Sequence, residues 1–121
     1  MSTILKASIL LVTVFLVPKI AEAPWAYYVE AQELTIPEII ELYTEESNVM
    51  LNIAWCESRL NPEAQGPTND SGLFQIIPGT WGAFQCEGDP MNAVDNTKCA
   101  EKIRQDGLQH WKASFPCWKE L

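Results

Sequence analysis

Glu57 stands where a helix should present an apolar side chain. It follows Met50 by seven residues, Ile53 by four and Ala54 by three, so on a helix its carboxyl shares their stripe. An ionised carboxylate on an apolar face is costly, and burial raises its pKa, so such a group can hold a proton near neutral pH and deliver it. A general acid needs that property. The plainer reading is a carboxylate paired with Arg59 or Lys98, or one at the edge of the stripe, and periodicity alone favours it. The second set with chemical potential is Cys56, Cys86, Cys99 and Cys117, which allow three pairings as disulfides. Their gaps are too wide for a zinc site and His110 is the single histidine, so no metal and no cofactor is expected and His110 reads as a surface or packing residue.

The elements that must position these groups are mostly helical. Thr35, Pro37 and Glu38 make a helix start, with Thr35 as N-cap, and Ile36, Ile39, Ile40 and Tyr43 fall on one face of a helix running to about Glu46. Asn48 can cap the helix that carries Glu57, and Asn61-Pro62 stops it. Residues 61–72 are rich in turn formers and predict a loop with an irregular hairpin. Leu73 to Ile77 is a short apolar run, Pro78-Gly79-Thr80 opens a helical turn through Trp81 and Phe84, and Gly88-Asp89-Pro90 is a second loop. A helix over Asn96 to Gln105 turns Ala100 and Ile103 inward, and a last short helix carries Leu108 and Trp111.

Composition narrows the classes. The 121 residues have room for one small domain, and 8 basic against 16 acidic side chains leave a net charge of −8, which argues against a partner held through its phosphates, so no nucleic acid is expected. Lys6 precedes an apolar run from Ala7 to Val17, the pattern of a signal-peptide core and short for a bilayer crossing. Residues 1–31 therefore read as a signal peptide or an uncleaved anchor that would tether the chain to a membrane, with candidate cleavage sites at Ala21-Glu22-Ala23 and Val29-Glu30-Ala31. Residues 32–121 are then the exported domain, expected as a monomer, in a compartment where disulfides persist and at a size where a core alone is marginal. Between Lys19 and Arg59 no basic residue occurs while eight Glu do, and an acidic field of that kind around Glu57 would help it hold its proton.

Glu57-Ser58, Asn61-Pro62, Gly72-Leu73-Phe74-Gln75-Ile76 and Pro78-Gly79-Thr80-Trp81 come in that order and spacing. With Asp89-Pro90 and Asn96 ahead of Cys99-Ala100-Glu101-Lys102-Ile103, they resemble the lysozyme-like soluble lytic transglycosylase family over about Val49 to Trp118. The resemblance implies a mainly α, lysozyme-like fold in which a short hairpin or loop forms one wall of a saccharide cleft. It also implies action on peptidoglycan strands at the β-1,4 bond between N-acetylmuramic acid and N-acetylglucosamine. By that resemblance Glu57 is the catalytic acid, which protonates the glycosidic oxygen and then takes the proton of the sugar's own 6-hydroxyl to close a 1,6-anhydro product. Ser58 and Gln75 match positions that line or support the cleft, Gln75 otherwise only tying the loop to the helix, and Phe74, Trp81 and Trp111 are further candidates for substrate contact, although aromatics at such spacing, Phe74 above all, also suit a core. Trp55 either packs behind Glu57 or edges the cleft.

Two features depart toward animal-type lysozymes. Asp70 stands before Gly72 and Gln75 in an Asp-x-Gly-x-x-Gln pattern that resembles the position of their second carboxylate, while composition reads it as a turn residue in Asn69-Asp70-Ser71-Gly72. The run Cys99-Ala100-Glu101-Lys102-Ile103, Asp106-Gly107, Trp111, Cys117 is similar to the end of those lysozymes. Their pairing implies Cys56 with Cys117, and therefore Cys86 with Cys99. Three functions follow: a lytic transglycosylase with one acid, a hydrolase using Glu57 and Asp70, and a glycan-binding module without turnover. The acidic surface favours trimming of a nearby wall over attack on distant anionic ones.

Overall fold

Thr35, Pro37 and Glu38 start the first helix as their order predicts. The structure is a computed structural model and describes residues 33–121. In α1 (Ile36–Tyr43) the Glu38 carboxylate accepts the N–H and the hydroxyl of Thr35 at 2.7 and 2.8 Å, and the inner face buries Ile39 and Ile40. The backbone bond from Thr35, with the hydroxyl bond beside it, holds the Glu38 carboxyl below its usual range. α2 (Ser47–Ser58) begins one residue ahead of the expected Asn48 cap, with Glu46 in the N-cap position. Arg104 draws Glu45 and Glu46 into ion pairs at 3.2 and 3.5 Å, and Glu46 O receives the Met50 N–H, which fixes the α1–α2 corner there.

α3 (Pro78–Ala83), α4 (Ala93–Asp106), a 3₁₀ segment (Leu108–Ser114) and α5 (Phe115–Trp118) complete the helices among the described residues. α4 starts three residues before the expected Asn96, because the Asn92 side chain caps it by accepting the Asp95 N–H at 3.0 Å. Trp111 has non-helical dihedrals and kinks the last stretch into two pieces. The expected hairpin forms only as isolated antiparallel bridges, Gln65 with Ser71 and Ser71 with Ile76. Asn69 and Gln75 interrupt the extended backbone by taking positive φ values of 59° and 49°, so no strand is sustained.

The loop and the helices share one core. Met50, Ile53 and Ala54 of α2 pack with Leu73 and Phe74 of the loop and with Ala100 and Ile103 of α4. α1 lies against α2 and α4, and the 3₁₀ segment and α5 close over α2. Two polar residues of α4, Asn96 and Thr97, are wholly inside; the Asn96 Oδ1 accepts the Phe74 N–H at 2.9 Å and its Nδ2 donates to Ser71 O and Pro90 O at 3.0 and 2.9 Å. Gly72 passes so close to this amide that a Cβ would sit 2.4 Å from Nδ2, and its φ of +79° suits glycine as well. The disulfides join Cys56 of α2 to Cys117 of α5 and Cys86 to Cys99 of α4, the pairing that the resemblance implies.

No helix among the described residues is long and apolar enough to cross a membrane. The export segment read over residues 1–31, with both cleavage sites, lies outside the described residues.

Two stability predictions follow from this frame. The bridge with a sequence separation of 61 restrains the unfolded chain by about 4 kcal/mol and the one with 13 by about 3 kcal/mol, so replacing Cys56 and Cys117 by Ala should lower the urea midpoint more than replacing Cys86 and Cys99. An equal or inverted order would show that loop closure does not govern their contribution. Asn96→Ala strands the Phe74 N–H and Pro90 O, while Ser71 O keeps the Ile76 N–H, and should destabilise the domain by roughly 3–5 kcal/mol in the same measurement.

Candidate active site

The apolar stripe of α2 ends in a carboxyl. Met50, Ile53 and Ala54 have no exposed surface, and Glu57, one turn further on, is partly buried in the last turn of the helix. Its Oε1 accepts a 2.6 Å hydrogen bond from the Ser114 hydroxyl. Removal from water raises the Glu57 pKa above its ordinary value; the Ser114 bond pulls it part of the way back, and the nearby Asp70 charge pushes it up again. The partial negative charge at a helix C-terminus acts in the same direction as burial. The cations weighed as partners are engaged elsewhere: Arg59 lies over the Trp55 ring at 5.0 Å and Lys98 over the Tyr43 ring at 5.1 Å. Glu57 is thus met by a neutral donor, a setting that suits a carboxyl able to carry a proton.

Asp70 has the opposite environment. Partial burial works to raise its pKa, but bonds from the Thr68 hydroxyl, from its own N–H and from the Thr68 N–H outweigh that and hold the carboxyl below its usual range. Its Oδ1 accepts from Thr68 Oγ1 at 2.8 Å and from Thr68 N at 3.1 Å, the turn geometry that composition predicts. Gln75 is a tie as well: its Nε2 donates to Ala64 O and Gly72 O at 3.0 and 2.9 Å, stitching the two sides of the loop.

Several residues read as substrate contacts sit elsewhere. Phe74 has no exposed surface and cannot touch a ligand, because its ring fills the core between α2 and Trp111. Ser58 is buried and its hydroxyl donates to Ala54 O at 3.0 Å, a bond within its own helix. Trp111 is buried, with its indole N–H on Phe74 O at 3.0 Å, while an edge of the residue reaches a pocket of about 120 Å³ shared with Gln75, Thr80 and His110. Glu57 does not line that pocket. Trp81 is partly buried against the core, and Trp55 is exposed, carrying Arg59 on its ring rather than backing Glu57. Two members of the acidic run lie away from Glu57. Glu45 and Glu46 pair with Arg104 at the opposite end of α2, about 16 Å away along a 12-residue helix.

Sequence reasoning passed over two residues. Ser114 lies 57 positions from Glu57 and nothing local in the chain links them. Asn96 had a signal: it precedes Cys99, Ala100 and Ile103 by three, four and seven residues, so it is a polar member of the α4 stripe as Glu57 is of the α2 stripe.

No curated protein and no solved structure matches the chain significantly. A family does: the transglycosylase SLT domain matches residues 35–114, from the N-cap of α1 to the serine that meets Glu57. Over more than half its length, then, the chain belongs to the transglycosylase SLT domain family, a lysozyme-like family directed at peptidoglycan.

Proposed function

We propose that the protein is a lytic transglycosylase that cleaves the β-1,4 bond between N-acetylmuramic acid and N-acetylglucosamine, with Glu57 as its single acid and base. The observation that carries this reading is the placement of Glu57 at the end of a buried apolar stripe, its pKa raised by burial, its nearest donor a neutral hydroxyl. The glycosidic oxygen takes the proton of Glu57 as the C–O bond breaks, and positive charge develops at the muramic C1. Glu57, now a carboxylate, accepts the proton of the sugar's 6-hydroxyl while that oxygen bonds to C1. The products are a 1,6-anhydro end and a free N-acetylglucosamine end, and the acid is restored without water.

A second reading rests on Asp70, whose carboxyl is held below its usual range and whose charge acts on Glu57. Two carboxyls with opposite shifts are the arrangement used in hydrolysis with retention, for which the lysozyme type case is known. The hydrogen bonds that fix Asp70 inside its own turn favour the first reading. We further propose that residues 1–31 direct export or tether the domain to a membrane, and that residues 32–121 work as a monomer on nearby wall, as the disulfides and the acidic charge suit.

Mass spectrometry of digested peptidoglycan decides between the two chemistries: anhydro-muropeptides are expected, and exclusively reducing ends would replace the first reading by the second. Glu57→Gln should lower wall-clearing activity by at least about 100-fold with the helical circular dichroism unchanged; an active variant removes Glu57 from the mechanism, and a parent that binds wall without clearing it is a glycan-binding module. The acid must be protonated at the start, so activity should fall as pH rises through the Glu57 pKa, which lies above the ordinary glutamate value. The stability sign is the same. A carboxyl whose folded pKa exceeds its unfolded value favours the fold at low pH and loses that contribution as pH rises from the unfolded to the folded value. Glu57→Gln, which cannot ionise, should therefore raise Tm relative to the parent near neutral pH and not at pH 3.

A further inference from the structure

We propose that Ser114 is a positioning residue for Glu57: it holds Oε1 so that the acidic proton resides on Oε2, and the Cys56–Cys117 bridge keeps it in place. The inference rests on the catalytic reading of Glu57 and adds how that carboxyl is oriented.

A carboxyl group has two oxygens, and a general acid must carry its proton on the one that faces the substrate. The Ser114 hydroxyl donates to Oε1 at 2.6 Å. An oxygen that already accepts a short hydrogen bond is the poorer site for a proton, so the proton goes to Oε2. The same bond fixes the side-chain torsions of a residue that would otherwise swing at the end of its helix. Ser114 has one other acceptor within reach, Trp111 O at 3.2 Å, which also receives the Trp118 indole N–H at 3.1 Å. Trp111 O therefore stays satisfied when the serine hydroxyl points at Glu57.

The serine is held from both sides of the contact. Cys56 immediately precedes Glu57 and Cys117 follows Ser114 by three residues, so the bridge closes a short ring around the hydrogen bond. On the other side, Trp111 is fastened to Phe74 O through its indole, which fixes the 3₁₀ segment that ends in Ser114. Charged groups on the elements around Glu57 leave Ser114 as its one direct partner among them. Arg59 stacks on Trp55, Lys119 at the C-cap of α5 lies over the Phe115 ring at 5.4 Å and pairs with Glu120, and His110 of the 3₁₀ segment pairs with Asp106. Lys112, also on that segment, is exposed, and Asp70 of the loop acts on Glu57 through its charge alone.

The experiment is a carbon-detected NMR titration of the Glu57 carboxyl in the full chain and in Ser114→Ala, with kcat against pH on purified glycan strands and Tm measured on both. Removing the hydroxyl removes a bond that favours the carboxylate, so in Ser114→Ala Glu57 should titrate at higher pH and the alkaline limb of kcat should move up with it. The kcat of the acidic plateau should fall about 3- to 10-fold from lost orientation. An unchanged Glu57 titration overturns the proposal, whatever happens to kcat or Tm, and so does a shifted titration with an unchanged plateau. Because the titration is read without turnover, it separates failure of this inference from failure of the catalytic reading, which Glu57→Gln tests alone.

Discussion

Both backbone polar groups of Phe74 are buried, and both are satisfied by side chains from other elements. Its N–H goes to Asn96 of α4 and its carbonyl to the indole of Trp111 in the 3₁₀ segment. A short apolar run with no strand to pair with would otherwise carry unpaired amides into the core, at about 1–3 kcal/mol for each group left unmade. Satisfying them in this way fastens the irregular loop to α4 on one side and to the C-terminal segment on the other. Gly72 is required by the same junction, since a side chain there would collide with the Asn96 amide. The hydrogen-bonded line then continues outward. Trp111 O receives the Trp118 indole, and the Ser114 hydroxyl, 3.2 Å from that oxygen, donates to Glu57. A junction deep in the core is thus connected to the carboxyl at its edge through Trp111 and Ser114.

Glu57 sits at odds with the helix that carries it. Three wholly buried apolar residues precede it on the same face, and it occupies the turn where the helix dipole is least hospitable to a negative charge. Neither Arg59 nor Lys98 compensates, because both rest on aromatic rings. A residue chosen for stability at that position would be apolar. In the proposed reaction the same unfavourable setting is what favours the protonated carboxyl, so the cost to folding and the proton affinity are one property seen twice.

How far the sequence could be read depended on whether the signal was local. Helix periodicity placed the stripes of α1, α2 and α4, and it isolated Glu57 as a misfit before any likeness was considered. Asn96 offered the same misfit and was read only as part of a motif. Motif adjacency misled at Ser58 and Phe74, which sit beside Glu57 and Gln75 in the chain yet turn inward, since neighbours on a helix or a tight turn face different ways. The loop resisted prediction because its path is set by non-glycine residues at positive φ, Asn69 and Gln75 among them, held by contacts from distant elements. Ser114 was invisible: a hydroxyl 57 residues from its partner acquires meaning only once α5 and α2 are bridged.

The charge of the chain takes on a narrower meaning in this light. An acid-rich segment ahead of Arg59 could have tuned Glu57 by proximity, but two of its carboxylates are drawn to Arg104 at the far end of α2, where a helix N-terminus favours them. The charge that does reach Glu57 comes from Asp70, which lies in the loop outside that segment. A lone carboxylate pinned by Thr68 can raise the proton affinity of Glu57 from its fixed position without moving toward a sugar ring. That role needs no covalent step from Asp70, and it makes a second carboxylate compatible with a one-acid transglycosylase. The resemblance of Asp70 to a lysozyme's second carboxylate is then a likeness of position that the transglycosylase chemistry can use electrostatically.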